Sequence, residues 1–258
     1  MLKNKKLCVV GGGYWGINHI RTLHDMGALG AVVEPNRSKL IGLNGDFPKI
    51  NLYTELSESF DDNSIDGFTV ATPAETHFEI GREILARGKH VLIEKPLALN
   101  IEHAIELVKL SNENSATLMV GHLLLFHPAI IKMKQMIDNG EIGKLQYIYS
   151  NRLNLGQVRN NENVFWSLAP HDVSIFQFFT NSFPSQIKAH GSSFLQKGIH
   201  DSTVTLLKYP NNIEGHIFVS WLHPFKEHRI VLIGSEGMLS FEDSLSGKPL
   251  KHYSKKFD

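Results

Sequence analysis

Short apolar runs without polar alternation recur through the first part of the chain: Leu7–Val10, Ala31–Val33, Phe68–Ala71, Val91–Ile93 and Leu118–Val120. Each is bounded by Gly, Pro or Asn, the pattern of strands buried on both faces of a parallel sheet. Helical stretches separate them, clearest at Glu75–Arg87 and Ile101–Asn114. In the second of these, Ile101, Ala104, Ile105 and Val108 follow the i, i+3, i+4, i+7 template behind Asn100 as N-cap. Strand–helix alternation of this kind predicts a doubly wound sheet. The pattern changes after Gly121. Pro128–Asp138 reads as a helix closed by Asn139-Gly140. Longer, more alternating stretches follow at Leu145–Leu153, Ile187–Phe194, Ser202–Tyr209, Ile213–Trp221, Arg229–Ile233 and Met238–Phe241, with a helix near Pro170–Phe179. The expected fold is therefore α/β. A parallel Rossmann-like domain spans residues 1–121, and an α+β domain with a largely antiparallel open sheet spans residues 122–258.

Composition narrows the class without changing it. In 258 residues, 26 Lys and Arg balance 26 Asp and Glu, so no global field attracts nucleic acid or an anionic membrane. The lone cysteine, Cys8, excludes an internal disulfide and a cysteine zinc cluster. No apolar run is long enough to span a bilayer. A soluble, cytoplasmic protein is expected.

Gly11-Gly12-Gly13-Tyr14-Trp15-Gly16 fits G-x-G-x-x-G, directly after a predicted strand and before a helical stretch at Ile17–Met26. That context gives the spacing its meaning. Gly11 permits the tight turn, Gly13 lets the backbone approach a pyrophosphate, and Gly16 allows close helix–strand packing. Tyr14 and Trp15 lie within the same loop. An acid is then required at the end of the second strand to take the ribose hydroxyls, and Glu34 follows Ala31-Val32-Val33. A carboxylate there favours NAD. Arg37, three residues on, could instead grip the 2′-phosphate of NADP. Other Rossmann-like enzymes, methyltransferases among them, also carry glycine-rich first loops.

Glu94-Lys95-Pro96 stands at the carboxyl end of the predicted strand His90–Ile93, where ligands bind in open α/β sheets. A partly desolvated lysine beside a cationic cofactor has a lowered proton affinity and can polarise a substrate hydroxyl. The plainer reading is a solvated lysine ion-paired with Glu94. Thr72-Pro73 follows the strand Phe68–Ala71 in the same way, placed to shape a cofactor floor with backbone groups. Further on, a strand end with Arg152 and Asn154 and a loop with Arg159, Asn160, Asn161 and Asn163 suit a polyhydroxylated, anionic ligand as well as an ordinary polar loop.

The Gly11–Gly16 loop, Ala71-Thr72-Pro73 with His77, and Glu94-Lys95-Pro96-Leu97-Ala98 resemble, in order and spacing, the glucose–fructose oxidoreductase/inositol dehydrogenase/rhizopine catabolism family. The resemblance continues through Gly121, Phe126-His127-Pro128 and Gly140-Glu141-Ile142-Gly143. It implies NAD(P)-dependent oxidation or reduction of a carbon of a sugar, cyclitol or nucleotide-sugar. It also implies a second-domain sheet that pairs copies into a homodimer or homotetramer. Lys95 is implied near the reacting carbon, and His171 of Ala169-Pro170-His171-Asp172 as the acid/base. The aspartate that often stands four residues before that histidine is Ser167 here. Asn163-Val164-Phe165-Trp166-Ser167 looks like members that make amino sugars for surface polysaccharides, with Trp166 a substrate contact. The chain stops at Lys255-Lys256-Phe257-Asp258, short of the closing helix common in the family.

Two further readings stay open at this stage. One is an NAD-binding homologue without turnover, or a redox-responsive one, suggested by Ser167 and the short end. The other is a non-redox Rossmann enzyme, against which Lys95 argues. No zinc site is expected from His122 and His127, which are five apart. Phe176, Phe178 and Phe179 read as core or dimer surface. Phe218 and Trp221 read as a sheet face that meets a second subunit.

Overall fold

The computed structural model describes residues 5–156, 158–159, 162–247 and 249–254. The chain divides into two compact units, Met1–Gly121 and His122–Asp258. Among the described residues no helix is long and apolar enough to cross a membrane.

The first unit runs β1 (Leu7–Val10), α1 (Gly16–Asp25), β2 (Leu29–Val33), α2 (Arg37–Asp46), β3 (Asn51–Tyr53), α3 (Leu56–Phe60), β4 (Gly67–Val70), α4 (His77–Ala86), β5 (His90–Ile93), α5 (Ile101–Glu113) and β6 (Leu118–Val120). The six strands are all parallel, in the order β3-β2-β1-β4-β5-β6. Neighbouring strand residues face opposite sides of the sheet. Cys8, Val10, Phe68 and Val70 pack with Ile84, Leu85 and Leu107 on one side, whereas Val9 and Val32 pack with Ile20 and Leu23 of α1 on the other. Helices cover both faces, which is why the strand sequences show no polar alternation. Strand order reverses between β1 and β4, so a crevice for ligands is expected beyond the carboxyl ends of these strands. The strand β3 and the helix α2 escape the sequence patterns. Asn51-Leu52-Tyr53 is short and half-exposed, and α2 carries Gly42 and Gly45 and buries only Leu43. What starts α2 is local chemistry: the Asn36 side chain accepts from the Ser38 and Lys39 N–H groups.

The second unit holds α6 (Pro128–Asp138), β7 (Leu145–Leu155), α7 (Val164–Thr180), β8 (Gln186–Ser192), β9 (Ser202–Lys208), β10 (Glu214–Ser220), β11 (Leu222–Gly234), β12 (Gly237–Glu242) and β13 (Leu250–Ser254). They build a seven-stranded sheet, β13-β12-β11-β7-β10-β9-β8. Only β7 and β10 pair in parallel; the other pairs are antiparallel. Its core joins Ile130 and Met133 of α6 and Ile175, Phe176 and Phe179 of α7 to Ile148, Ile217, Val219, Ile230 and Leu232 of the sheet. The opposite face carries Tyr147, Tyr149, His216, Phe218 and Val231, all half-exposed.

Two expectations for this unit change. The helix α7 begins at Val164, six residues before the expected Pro170, because Asn163 caps it by accepting from the Trp166 N–H at 3.1 Å. Proline signals a first turn when read alone. Here it sits inside the helix and forgoes one backbone bond. Trp221 is 2 % exposed and donates its indole N–H to Asp201 at 2.6 Å. It therefore belongs to the core and not to a pairing face. Phe176 and Phe179 are core, and Phe178 packs partly buried against them.

Candidate functional site

In the first unit, four strand ends carry the residues of interest. After β1 the glycine loop turns with Gly11 at φ +98°, a conformation that L side chains rarely adopt. A Cβ at Gly16 would lie 1.8 Å from the Gly11 carbonyl oxygen, so α1 can approach β1 this closely only through glycine. A Cβ at Gly13 would meet nothing within 4 Å. Gly13 is thus demanded by neither strain nor packing within the unit, and the space in front of it is open for a ligand. Tyr14 is 93 % exposed, and Trp15 is partly exposed.

Glu34, which follows β2, is buried. Its Oε2 accepts from the Gly12 N–H at 2.8 Å, and its Oε1 accepts from the Asn36 N–H at 3.0 Å. The carboxylate therefore braces the glycine loop from the side, and each oxygen keeps a lone pair for a further donor. Arg37 is exposed at the first position of α2.

His77 takes a place the sequence does not disclose. It is buried at the start of α4, with Nδ1 2.7 Å from the Pro96 carbonyl oxygen and Nε2 2.9 Å from that of Thr72. The ring staples the loop after β4 to the loop after β5; buried and engaged at both nitrogens, it is not placed for the direct cofactor contact expected of it. Thr76 Oγ1 lies 2.7 Å from Thr72 Oγ1 and steadies the same turn around Pro73. The Lys95–Pro96 peptide is cis.

Glu94, which follows β5, is buried. Its Oε1 accepts from His19 Nε2 of α1 at 2.8 Å, and its Oε2 accepts from the Lys95 backbone N–H at 3.3 Å. Burial pushes the Glu94 carboxyl up, but hydrogen bonds from His19 and the Trp15 side chain outweigh it and hold the group below its ordinary value. His19 was not among the expected site residues. Its signal is positional: it falls three residues after the last glycine, one helical turn along α1.

In the second unit, Arg152 of β7 is buried and its guanidinium is committed. Nε and Nη2 donate to Asp172 Oδ2 and Oδ1 at 2.8 and 3.0 Å. The expected grip on an anionic ligand is corrected accordingly: the planar fork is spent on α7, tying that helix to the sheet. Asp172 follows His171 on α7, so this bond fixes the rotation of the helix that carries His171. Ser167 and His171 stand four apart on α7 and share a face. Asn154 lies half-buried near the end of β7. Arg159 is exposed and 3.4 Å from Glu162, and Trp166 is 40 % exposed in the first turn of α7. Asn160 and Asn161 lie outside the described residues, as do Lys255–Asp258. His127 caps α6 by accepting from the Ala129 N–H, a packing role with its ring against Phe241. Among the described residues, no group of three or more His, Cys, Asp or Glu could hold a metal ion.

A six-stranded parallel sheet with a glycine loop, an acid after its second strand and open space at Gly13 defines a dinucleotide-binding Rossmann unit, here joined to a largely antiparallel α+β unit. Residues 5–122 match the family described as oxidoreductase, NAD-binding Rossmann fold, and residues 130–240 match the GFO/IDH/MocA C-terminal domain. The chain belongs to the GFO/IDH/MocA family of NAD-binding oxidoreductases. Its relatives include UDP-N-acetylglucosamine 3-dehydrogenase of Acidithiobacillus ferrooxidans, 27 % identical over 71 % of this chain and 56 % of that protein. They also include scyllo-inositol 2-dehydrogenase (NAD(+)) of Bacillus subtilis, 26 % identical over 70 % of this chain and 56 % of that protein. Among solved structures, the WlbA dehydrogenase of Bordetella pertussis in complex with NADH and UDP-GlcNAcA superposes with a TM-score of 0.87. It is 20 % identical, over 99 % of this chain and 78 % of that one. At that identity the likeness speaks for the fold. The match spans little more than half the length of both named dehydrogenases.

Proposed function

We propose that this protein is an NAD-dependent dehydrogenase acting on a secondary hydroxyl, or the corresponding ketone, of a sugar or nucleotide-sugar. The observation that carries the reading is the open space at Gly13, framed by the Glu34-braced loop, in the same unit as Glu94-Lys95-Pro96. The residues present fit the cofactor: backbone N–H groups of the loop and the start of α1 would hold a diphosphate, and Glu34 would accept from ribose hydroxyls. A carboxylate at that position also repels a 2′-phosphate, which favours NAD over NADP. When bound, NAD supplies the hydride acceptor; the protein supplies placement and charge.

Lys95 orients the substrate oxygen and polarises it. His171 takes the hydroxyl proton, with the Arg152–Asp172 pair fixing the helix on which it stands. Asn154, Arg159 and Trp166 are the candidate substrate contacts of the second unit, Arg159 taking the anion-binding part that Arg152 cannot. The dehydrogenases of UDP-N-acetylglucosamine and scyllo-inositol among the relatives support this substrate range. The open face of the second sheet is the surface through which copies of the chain pair.

The test is turnover of Lys95→Met with NAD and a panel of nucleotide-sugars and cyclitols. Rate should fall by about 10²- to 10⁴-fold while NADH affinity holds. Full activity in that variant would defeat the assignment. One observation favours a second reading, an NAD-binding protein without turnover: Ser167 cannot supply the negative charge of the aspartate often found beside the histidine. Tight NADH binding with no turnover on the whole panel would decide for it.

A further inference from the structure

Three separate elements converge on one buried carboxylate in the first unit. His19 of α1 donates Nε2–H to Glu94 Oε1 at 2.8 Å, the carboxylate being the acceptor-only partner. The Trp15 side chain, from the glycine loop, adds a second hydrogen bond. The third element is Gly121, directly after β6. A Cβ there would stand 2.9 Å from both the Glu94 carboxyl carbon and Oε2, and 3.0 Å from Oε1. Glycine at this position leaves the space in which the carboxylate sits. Glu94 has an ordinary, relaxed alternative as an exposed residue after a strand. The unit instead buries it to 6 % exposure and surrounds it with donors. Burying a charge is costly unless it is hydrogen-bonded, so an arrangement that does both calls for an account beyond stability.

The position of this charge in the sheet gives one. Dinucleotides lie across the switch point of such a sheet, one mononucleotide to each half. Glu34, after β2, marks the adenosine half. The nicotinamide half then falls at the ends of β4, β5 and β6, where Glu94 and Gly121 stand. The oxidised nicotinamide ring carries a positive charge and the reduced ring carries none. The Glu94 carboxylate brings one negative charge to that side of the crevice.

We propose that Glu94 is the electrostatic partner of the oxidised nicotinamide, with His19 the positioning residue that holds its carboxylate, so that the unit favours NAD⁺ relative to NADH. This rests on the reading that the first unit binds NAD. The charge acts on the oxidised form alone, so it shifts the ratio of the two affinities and not their common level. By the same token it lowers the potential of the bound couple and eases hydride transfer from NADH to substrate.

The experiment is titration of the full chain with NAD⁺ and with NADH at pH 8.5, for wild type, Glu94→Gln, His19→Leu and His19→Gln, with thermal melts to establish folding. Glu94→Gln is expected to weaken NAD⁺ about tenfold more than NADH, equivalent to about 30 mV in the bound couple. His19→Leu should move the ratio in the same direction, and His19→Gln, which keeps a donor, should restore it. His19 is partly exposed and His19→Gln keeps a donor for Glu94, so the His19 variants carry the comparison if Glu94→Gln does not fold. An unchanged ratio in both Glu94→Gln and His19→Leu, with both forms still bound, would overturn the proposal and leave the dinucleotide reading standing. Wild type that binds neither form would overturn the dinucleotide reading itself.

Discussion

Gly13→Ala separates ligand binding from folding within a single loop. An added Cβ meets no protein atom within 4 Å, and the backbone there lies outside the positive-φ range that alanine avoids. The folded state therefore accepts the methyl without strain. Loss of unfolded-state freedom should stabilise the unit by about 0.4–1 kcal/mol, a rise of about 2–6 °C in melting temperature. A diphosphate approaching the backbone at this point would meet the methyl instead. Losing one or two charge-assisted hydrogen bonds of about 1.5–3 kcal/mol each weakens binding by about 10- to 10⁴-fold. Gly16→Ala is the contrast. Its Cβ would stand 1.8 Å from the Gly11 carbonyl oxygen, so α1 must move off β1. Overpacking of this kind costs about 1–3 kcal/mol, and binding and stability fall together. The assays are thermal melting and fluorescence titration with NADH. Wild-type affinity in Gly13→Ala would refute the idea that the space before Gly13 belongs to a phosphate.

Other consequences follow from the second unit. Asp172→Ala takes the hydrogen-bonded carboxylate from the buried Arg152 guanidinium, the side chains being 8 % and 1 % exposed in the pair, so urea unfolding should show a loss of about 3–5 kcal/mol; a loss below about 1 kcal/mol would contradict the pairing. Burial, reinforced by the charges of Arg152 and Lys226, pushes His228 from 6.5 down to about 4. The unfolded chain then binds the proton first. Stability should be full above about pH 6.5, decline as pH falls toward about 4, and level off below. His228→Gln should flatten that window in urea midpoints measured across it, and an unaltered slope would exclude His228 as its source. Phe218→Glu places a charge on the open sheet face and should convert a dimer to monomer in sedimentation velocity. A wild type that is already monomeric would refute that role for the face.

Much of the first unit is legible in its sequence because five of its six strands are local apolar runs and the glycine loop carries its own punctuation. Glu34 could be found for the same reason, by counting from one local signal to the next. The parts that were not legible depend on partners distant in sequence. Nothing local distinguishes Arg152 as a buried structural cation from Arg152 as a ligand clamp; Asp172, on another element, decides it. Trp221 reads as a strand residue that alternates outward, until Asp201 draws its indole inward. His19 and Glu94 lie 75 residues apart and meet only when the folded unit brings α1 to the segment that follows β5. Pro170 misplaces the start of α7 because a proline inside a helix looks, locally, like one at its beginning. Strand β11 runs longer than Arg229–Ile233 because its register against β7 shifts between Leu222 and Glu227, a break in the pairing that no run of side chains announces.

The most direct measurement is titration of the purified chain with NADH, followed by its fluorescence and displaced by NAD⁺. Saturation at one site per chain, with displacement by NAD⁺ and little response to NADP⁺, is the expected result. A chain that neither saturates with NADH nor yields to NAD⁺ would contradict the account at its base.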